Sequence, residues 1–139
     1  MQLNSLARIL LLLRKFRFIV MKKKTLVMGA APDSSRYSYK ATVMLNDHGF
    51  PVVPFGIKKG NIEGITIVNE KPTDEFDTVT LYLGPQNQPQ YYDYIIGLKP
   101  KRVIFNPGTE NPEFEELLKA NNIQPLEACT LVLLSTGQF

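Results

Sequence analysis

The residues with the most chemical potential follow a short apolar run near the start of the chain: Gly29-Ala30-Ala31-Pro32-Asp33-Ser34-Ser35-Arg36. A glycine and two alanines directly after a strand let a backbone approach a ligand closely. Small polar residues and an arginine then lead into a helical pattern, and a helix N-terminus offers free N–H groups and the positive end of a dipole. The chemistry suggested is phosphate binding. The run is not the G-x-G-x-x-G of dinucleotide sites, and a plain strand-to-helix turn with Ser34 or Ser35 as N-cap would use the same residue types.

The end of the second apolar run bears on the ligand. An NAD site places an Asp or Glu there for the ribose hydroxyls, but this chain reads Val53-Pro54-Phe55-Gly56-Ile57-Lys58-Lys59. Two lysines without an acid suit a ribose that carries a phosphate, as in coenzyme A or NADP. Two solvated loop lysines are the bland alternative.

Catalytic groups are scarce. His48, the single histidine, sits at the end of the first helical pattern, away from the strand ends. There is no G-x-S-x-G, no P-loop pattern and no carboxylate pair on a turn. Asp33 and Glu110 lie in loops where either could cap a helix. Cys129 is the one candidate nucleophile, and as a small apolar residue it serves packing equally well. The expectation is binding without catalysis; an NADP-dependent or acyl-CoA-processing enzyme using Cys129 or Tyr82 is the alternative.

The elements that must position these residues alternate short apolar runs with amphipathic segments. Strands are expected at Thr25–Met28, Pro51–Phe55, Thr78–Leu83, Arg102–Phe105 and Ile123–Ala128, with a weak edge or hairpin strand at Ile65–Val68. Helical spacing runs from Tyr37 to His48, through Tyr91, Tyr94, Ile95 and Leu98, and from Pro112 through Phe114, Leu117 and Leu118. Leu131–Leu134 is a short apolar segment. The class expected is α/β: a Rossmann-like, doubly wound, mostly parallel sheet of five to six strands with helices on both faces. In such sheets ligands bind beyond the carboxyl ends of the strands. That edge gathers Gly29 to Ser38, Tyr37 included, then Gly56 and Lys58, Leu83 and Gly84, Asn106-Pro107-Gly108, and Cys129.

With 44% apolar residues in 139, one domain can bury a core without staples. One cysteine excludes an internal disulfide and suits a reducing, cytoplasmic compartment; no close Cys or His pair starts a metal site. The first twenty residues hold Arg8, Arg14, Lys15 and Arg17 and no acid, which leaves 12 basic against 13 acidic residues in 21–139. The body is therefore no polyanion surface, and nucleic acid is not expected as a partner. The longest apolar run, Ile9–Leu13, is far short of the roughly 20 residues a span needs, so no membrane partner is expected. Residues 1–20 read as a basic extension, dispensable or disordered, or as a basic amphipathic arm, with the domain at 21–139. A homodimer is possible.

Three stretches carry a family resemblance: Thr25–Tyr39 (TLVMGAAPDSSRYSY), Asn106–Pro112 (NPGTENP) and Glu127–Thr130 (EACT). Together they resemble the small stand-alone CoA-binding domain proteins, which are similar to the nucleotide-binding domain of the succinyl-CoA synthetase α subunit. The resemblance runs from Lys22 to Phe139. It implies that Gly29, Ala30, Ala31, Ser34, Arg36 and Ser38 hold a pyrophosphate and that Lys58 lies near the adenosine end. Ala31 stands where the family often has serine, which removes a hydroxyl contact. The synthetase's phosphohistidine has no counterpart, so ligase chemistry is not implied.

Overall fold

The computed structural model describes residues 4–21 and 23–139, and the side chains of all of these except residues 15–21. The expected domain start at Met21 abuts Lys22, which lies outside the described residues. Within the basic extension, Ser5–Met21 form a single helix, α1.

The domain then runs β1 (Thr25–Met28), α2 (Tyr37–Asp47), β2 (Val52–Phe55), β3 (Asn61–Ile62), β4 (Ile65–Thr66), β5 (Thr78–Leu81), α3 (Tyr92–Leu98), β6 (Arg102–Phe105), α4 (Pro112–Ala120), β7 (Gln124–Glu127) and α5 (Thr130–Ser135). Five strands form one all-parallel sheet in the order β2-β1-β5-β6-β7. β3 and β4 make a separate antiparallel hairpin. Just after it, Val68 pairs with Phe55 through a single parallel bridge. That bridge occupies the place beyond β2 where a full Rossmann order sets its third strand. The expected weak strand is thus a hairpin arm plus one residue of sheet edge.

β1 and β5 are buried along their whole length, as strands covered on both faces must be. Leu26, Met28, Val79, Leu81, Val103 and Phe105 point to one side and pack with Ile95 of α3 and Phe114 and Leu118 of α4. Val27 and Ile104 point to the other and pack with Leu45 of α2 and Leu134 of α5. The apolar run Leu131–Leu134 is therefore a helix covering the second face. Leu117, expected inside, is 39% exposed: α4 turns only the flanking Phe114 and Leu118 toward the sheet.

Local chemistry sets the helix ends. The Asn111 side chain accepts the Phe114 N–H at 3.1 Å, Pro112 follows at the first turn with Glu113 and Glu115, and Lys119 closes the last turn. At the outer edge, β7 carries Pro125 opposite Val103. Gln124 and Ala128 direct their N–H groups to Lys101 and Phe105, so residue 125 faces outward and proline costs no ladder bond there.

Asn106 ties the sheet to α5. Its amide donates to Thr80 Oγ1 at 2.6 Å and to the Leu81 carbonyl at 2.8 Å, and its Oδ1 accepts the Thr130 N–H at 2.9 Å. Thr80 and Thr130 join hydroxyls at 2.8 Å. Removing a side chain that satisfies several buried groups costs about 1–3 kcal/mol per group left unpaired. Asn106→Ala is expected to lower the unfolding free energy by about 2–4 kcal/mol, measured as a drop in the urea midpoint at unchanged m-value. A pH effect comes from Glu115, whose carboxyl is pushed up by burial and then by the neighbouring Glu127 carboxylate. A carboxyl raised in the folded state binds its proton more tightly there, so stability falls as pH rises from about 4.3 through the folded value. Glu115→Gln should raise stability at pH 7 and leave it unchanged at pH 3, read from denaturation curves at both.

Candidate functional site

A cleft of about 710 Å³ opens at the carboxyl edge of the sheet, over the ends of β1, β2, β5 and β6. Its floor is a three-way contact of backbone. Gly29 and Ala30 both donate their N–H groups to the Phe55 carbonyl, at 3.0 and 2.9 Å. A Cβ on Gly56 would stand 2.0 Å from the Ala30 carbonyl oxygen, and one on Gly29, which has φ +93°, would meet the Tyr82 backbone at 3.0 Å. Only glycine permits either approach.

This contact changes the reading of the first loop. The N–H groups of Gly29 and Ala30 are spent inside the protein, so these residues contribute closeness rather than donors. Beyond them, Asp33 accepts the Ser35 N–H at 2.9 Å and the Ser35 hydroxyl at 2.8 Å. Those bonds, helped by the charges of Arg36 and Lys58, hold the Asp33 carboxyl below its ordinary value. The residue at the helix N-cap is Arg36, not Ser34 or Ser35, and its side chain caps nothing. Arginine has no acceptor to offer. The N–H groups of Ala31, Tyr37 and Ser38 consequently have no acceptor among the described residues. Ser38 is a buried residue that still lines the cleft, and its hydroxyl has no partner among the described residues.

The far wall is held by buried amides that the sequence reading missed. Gln88, 1% exposed, donates to the Leu83 carbonyl at 2.9 Å and the Thr109 carbonyl at 2.8 Å, and it accepts from Asn111 at 2.9 Å. It thereby binds the loop after β5 to the loop after β6. Thr109 closes the second loop on the Asn106 carbonyl through both its N–H and its hydroxyl. The Gly108 N–H is taken by the Glu110 carboxylate at 2.8 and 3.0 Å. Gln88 follows Pro85 and precedes Pro89 in a loop of two short 3₁₀ turns, and nothing in its spacing distinguishes it from a surface glutamine.

Of the expected site residues, the cleft brings together Gly29, Ala30, Ala31, Arg36, Tyr37 and Ser38 with Gly56, Lys58, Leu83, Gly84, Pro107 and Gly108. Three stand apart. Ser34 lies on a different, shallow depression beside α2 with Tyr39 and Glu63. Asn106 is turned inward as the bracket described above. Cys129 occupies the N-cap position of α5 and is not part of the cleft lining. His48 caps the far end of α2, its Nδ1 2.8 Å from the Met44 carbonyl.

The electrostatics are one-sided. Arg36 and Lys58 line the cleft, neither forms an ion pair among the described residues, and no carboxylate, histidine or cysteine lines it. Tyr82 borders it with a hydroxyl that is buried and lacks a hydrogen-bond partner of good geometry, and burial pushes that phenol up to about 12. It stays a neutral phenol at pH 7.

Residues 23–135 match the family described as the CoA binding domain. The chain belongs to that family. No curated protein matches the chain. Among solved structures, one described as a crystal structure of an uncharacterized protein is 58% identical, with TM-score 0.82 over 84% of this chain and 98% of its own. A Thermus thermophilus protein (23% identity, TM-score 0.75, covering 91% of this chain and 98% of its own) shares the fold. So does a hypothetical protein from Pyrococcus horikoshii (22%, TM-score 0.76, 88% and 89%).

A CoA binding domain with this floor depends on the bare Cα of Gly56. Gly56→Ala should lower the melting temperature markedly and open the cleft floor, because the opposing Ala30 oxygen is backbone and cannot turn aside. Gly108→Ala meets open space at φ +90° and should cost only about 1–2 kcal/mol of left-handed strain. Paired thermal melts of the two variants check the contrast.

Proposed function

We propose that this CoA binding domain holds coenzyme A or an acyl-CoA in the cleft and catalyses no reaction of its own. The observation that carries the proposal is the uncapped start of α2. Free N–H groups of Tyr37 and Ser38, the Ser38 hydroxyl and the Arg36 guanidinium share a cleft with Lys58 and with no carboxylate. Such a surface favours an anion with several oxygens. A phosphate at this point satisfies donors that the protein leaves unmatched.

The residues fit the ligand class in size and charge. A cleft of about 710 Å³ is within the ordinary range of small-molecule sites. Gly29, Ala30 and Gly56 keep the floor low by having little or no side chain; Ala31, Arg36, Tyr37 and Ser38 would hold the pyrophosphate. Lys58 would meet a phosphate on the ribose, whereas Lys59, outside the cleft lining, would not. Leu83, Gly84, Pro107 and Gly108 form the wall along which the rest of the molecule would lie. Bound coenzyme A supplies a thiol or thioester. The cleft supplies no base at neutral pH to act on it, which supports a carrier or sensing role.

Thermal shift with coenzyme A, NADP and NAD in separate samples tests the reading. A ligand at about 100 times its Kd stabilises by about 2.7 kcal/mol. The expected result is a clear shift with coenzyme A, a smaller one with NADP and none with NAD; no shift with coenzyme A or acetyl-CoA overturns the proposal. Arg36→Ala should weaken coenzyme A binding at least about tenfold, in line with about 1.5–3 kcal/mol for a charge-assisted bond, with little change in stability. Lys58→Ala should erase discrimination between coenzyme A and its 3′-dephospho form, measured by titration calorimetry.

A further inference from the structure

The helix before the domain presents an unusual surface. Leu6, Ile9, Leu10, Leu11, Leu12 and Leu13 of α1 are each between 42% and 65% exposed. Ile9 shares a stripe with Leu6, Leu12 and Leu13 at spacings of three and four, and Leu10 borders it, while Leu11 falls on the other side with Arg8 and Arg14. Folded domains seldom leave so much apolar surface in water, and helices in proteins take most of their stability from packing an apolar face. Something other than water fits this face.

Charge selects the occupant. Residues 1–24 contain seven basic residues and no acid, whereas residues 25–139 contain nine basic against thirteen acidic. A second copy of α1 would set two wholly cationic segments side by side. A nucleic acid would match the charge and leave the leucines uncovered. An anionic lipid surface answers both features, because headgroups neutralise the arginines and lysines while the acyl boundary takes the leucines. At 1.5 Å per residue the helix is about 25 Å long. That falls short of the roughly 30 Å hydrocarbon core, and Arg8, Arg14, Lys15 and Arg17 lie within it, so it fits flat in the interface.

We propose that α1 is a membrane-surface helix that docks the domain on anionic lipid. This takes up the basic amphipathic arm among the two readings of residues 1–20; the expectation of no membrane partner rested on the lack of a run long enough to span, and no described helix is long and apolar enough to do so. The topology suits it: α1 joins the sheet through the N-terminal end of β1, the edge opposite the cleft. A docked domain therefore keeps its cleft open to solution.

Flotation of the full chain with vesicles tests the proposal, using phosphatidylcholine alone or with about a third phosphatidylglycerol. The protein is expected to float with the anionic vesicles, to bind neutral ones at least tenfold less, and to release in 1 M salt, where screening is nearly complete. Ile9→Asp/Leu13→Asp should abolish flotation, and Arg14→Gln/Lys15→Gln/Arg17→Gln should weaken it at least tenfold; both change exposed or charged positions, and an unaltered melting temperature checks the fold. The chain has no tryptophan, so Leu13→Trp adds a single reporter whose emission should move to shorter wavelength with anionic vesicles only. Absence of flotation, equal binding by the Asp variant, or loss of the exposed surface to a lipid-free dimer seen in sedimentation would overturn it.

Discussion

The floor of the cleft at the carboxyl edge of this sheet rests on one carbonyl. Phe55 O receives the N–H groups of both Gly29 and Ala30, so the chain leaving β1 is pinned across the end of β2 instead of running out into solvent. The pinning brings the Ala30 carbonyl against Gly56 so closely that no side chain fits there. With this floor fixed, the chain from Ala31 to Arg36 has to climb around the cleft before α2 begins, which is why Arg36 and Ser38 face it.

The opposite wall is rigid for a different reason. Its two loops are joined by the side-chain amides of Gln88 and Asn111, both buried and hydrogen-bonded through nitrogen and oxygen alike. Buried polar networks of this kind are costly when incomplete and specific when complete. The cleft thus has one wall set by backbone closeness and another set by hydrogen bonds.

The inner strands were legible in the sequence because they are short runs of mostly apolar or β-branched residues between turn formers, with Thr25, Thr78 and Arg102 as strand starts where the runs begin; β7, Gln124–Glu127, is the weakest of the five in this respect. The α4 start was legible from Pro112, since proline tolerates the first helical turn. What the sequence concealed were choices among equivalent polar residues. Ser34 and Ser35 looked better N-caps than Arg36, but Asp33 captures the Ser35 N–H and hydroxyl and delays the helix. Asn106 looked like a ligand contact because it follows a strand; its position between Thr80 and Thr130 depends on the packing of α5, which no local pattern reports. The composition of Gly29 and Ala30 pointed to a close backbone approach, but not to what they approach, because the acceptor of their N–H groups, Phe55 O, comes from a strand about 26 residues away.

Pro125 has a consequence for the growth of the sheet. An outward strand normally offers alternating donors and acceptors to any extended chain that meets it, and one missing N–H interrupts that template. At the opposite border the single Val68 bridge, backed by the β3–β4 hairpin, occupies the position a newcomer would take. Both borders of the five-stranded sheet are thus blunted, one by a proline and the other by a bridging residue, which makes each a poorer template for an incoming extended chain.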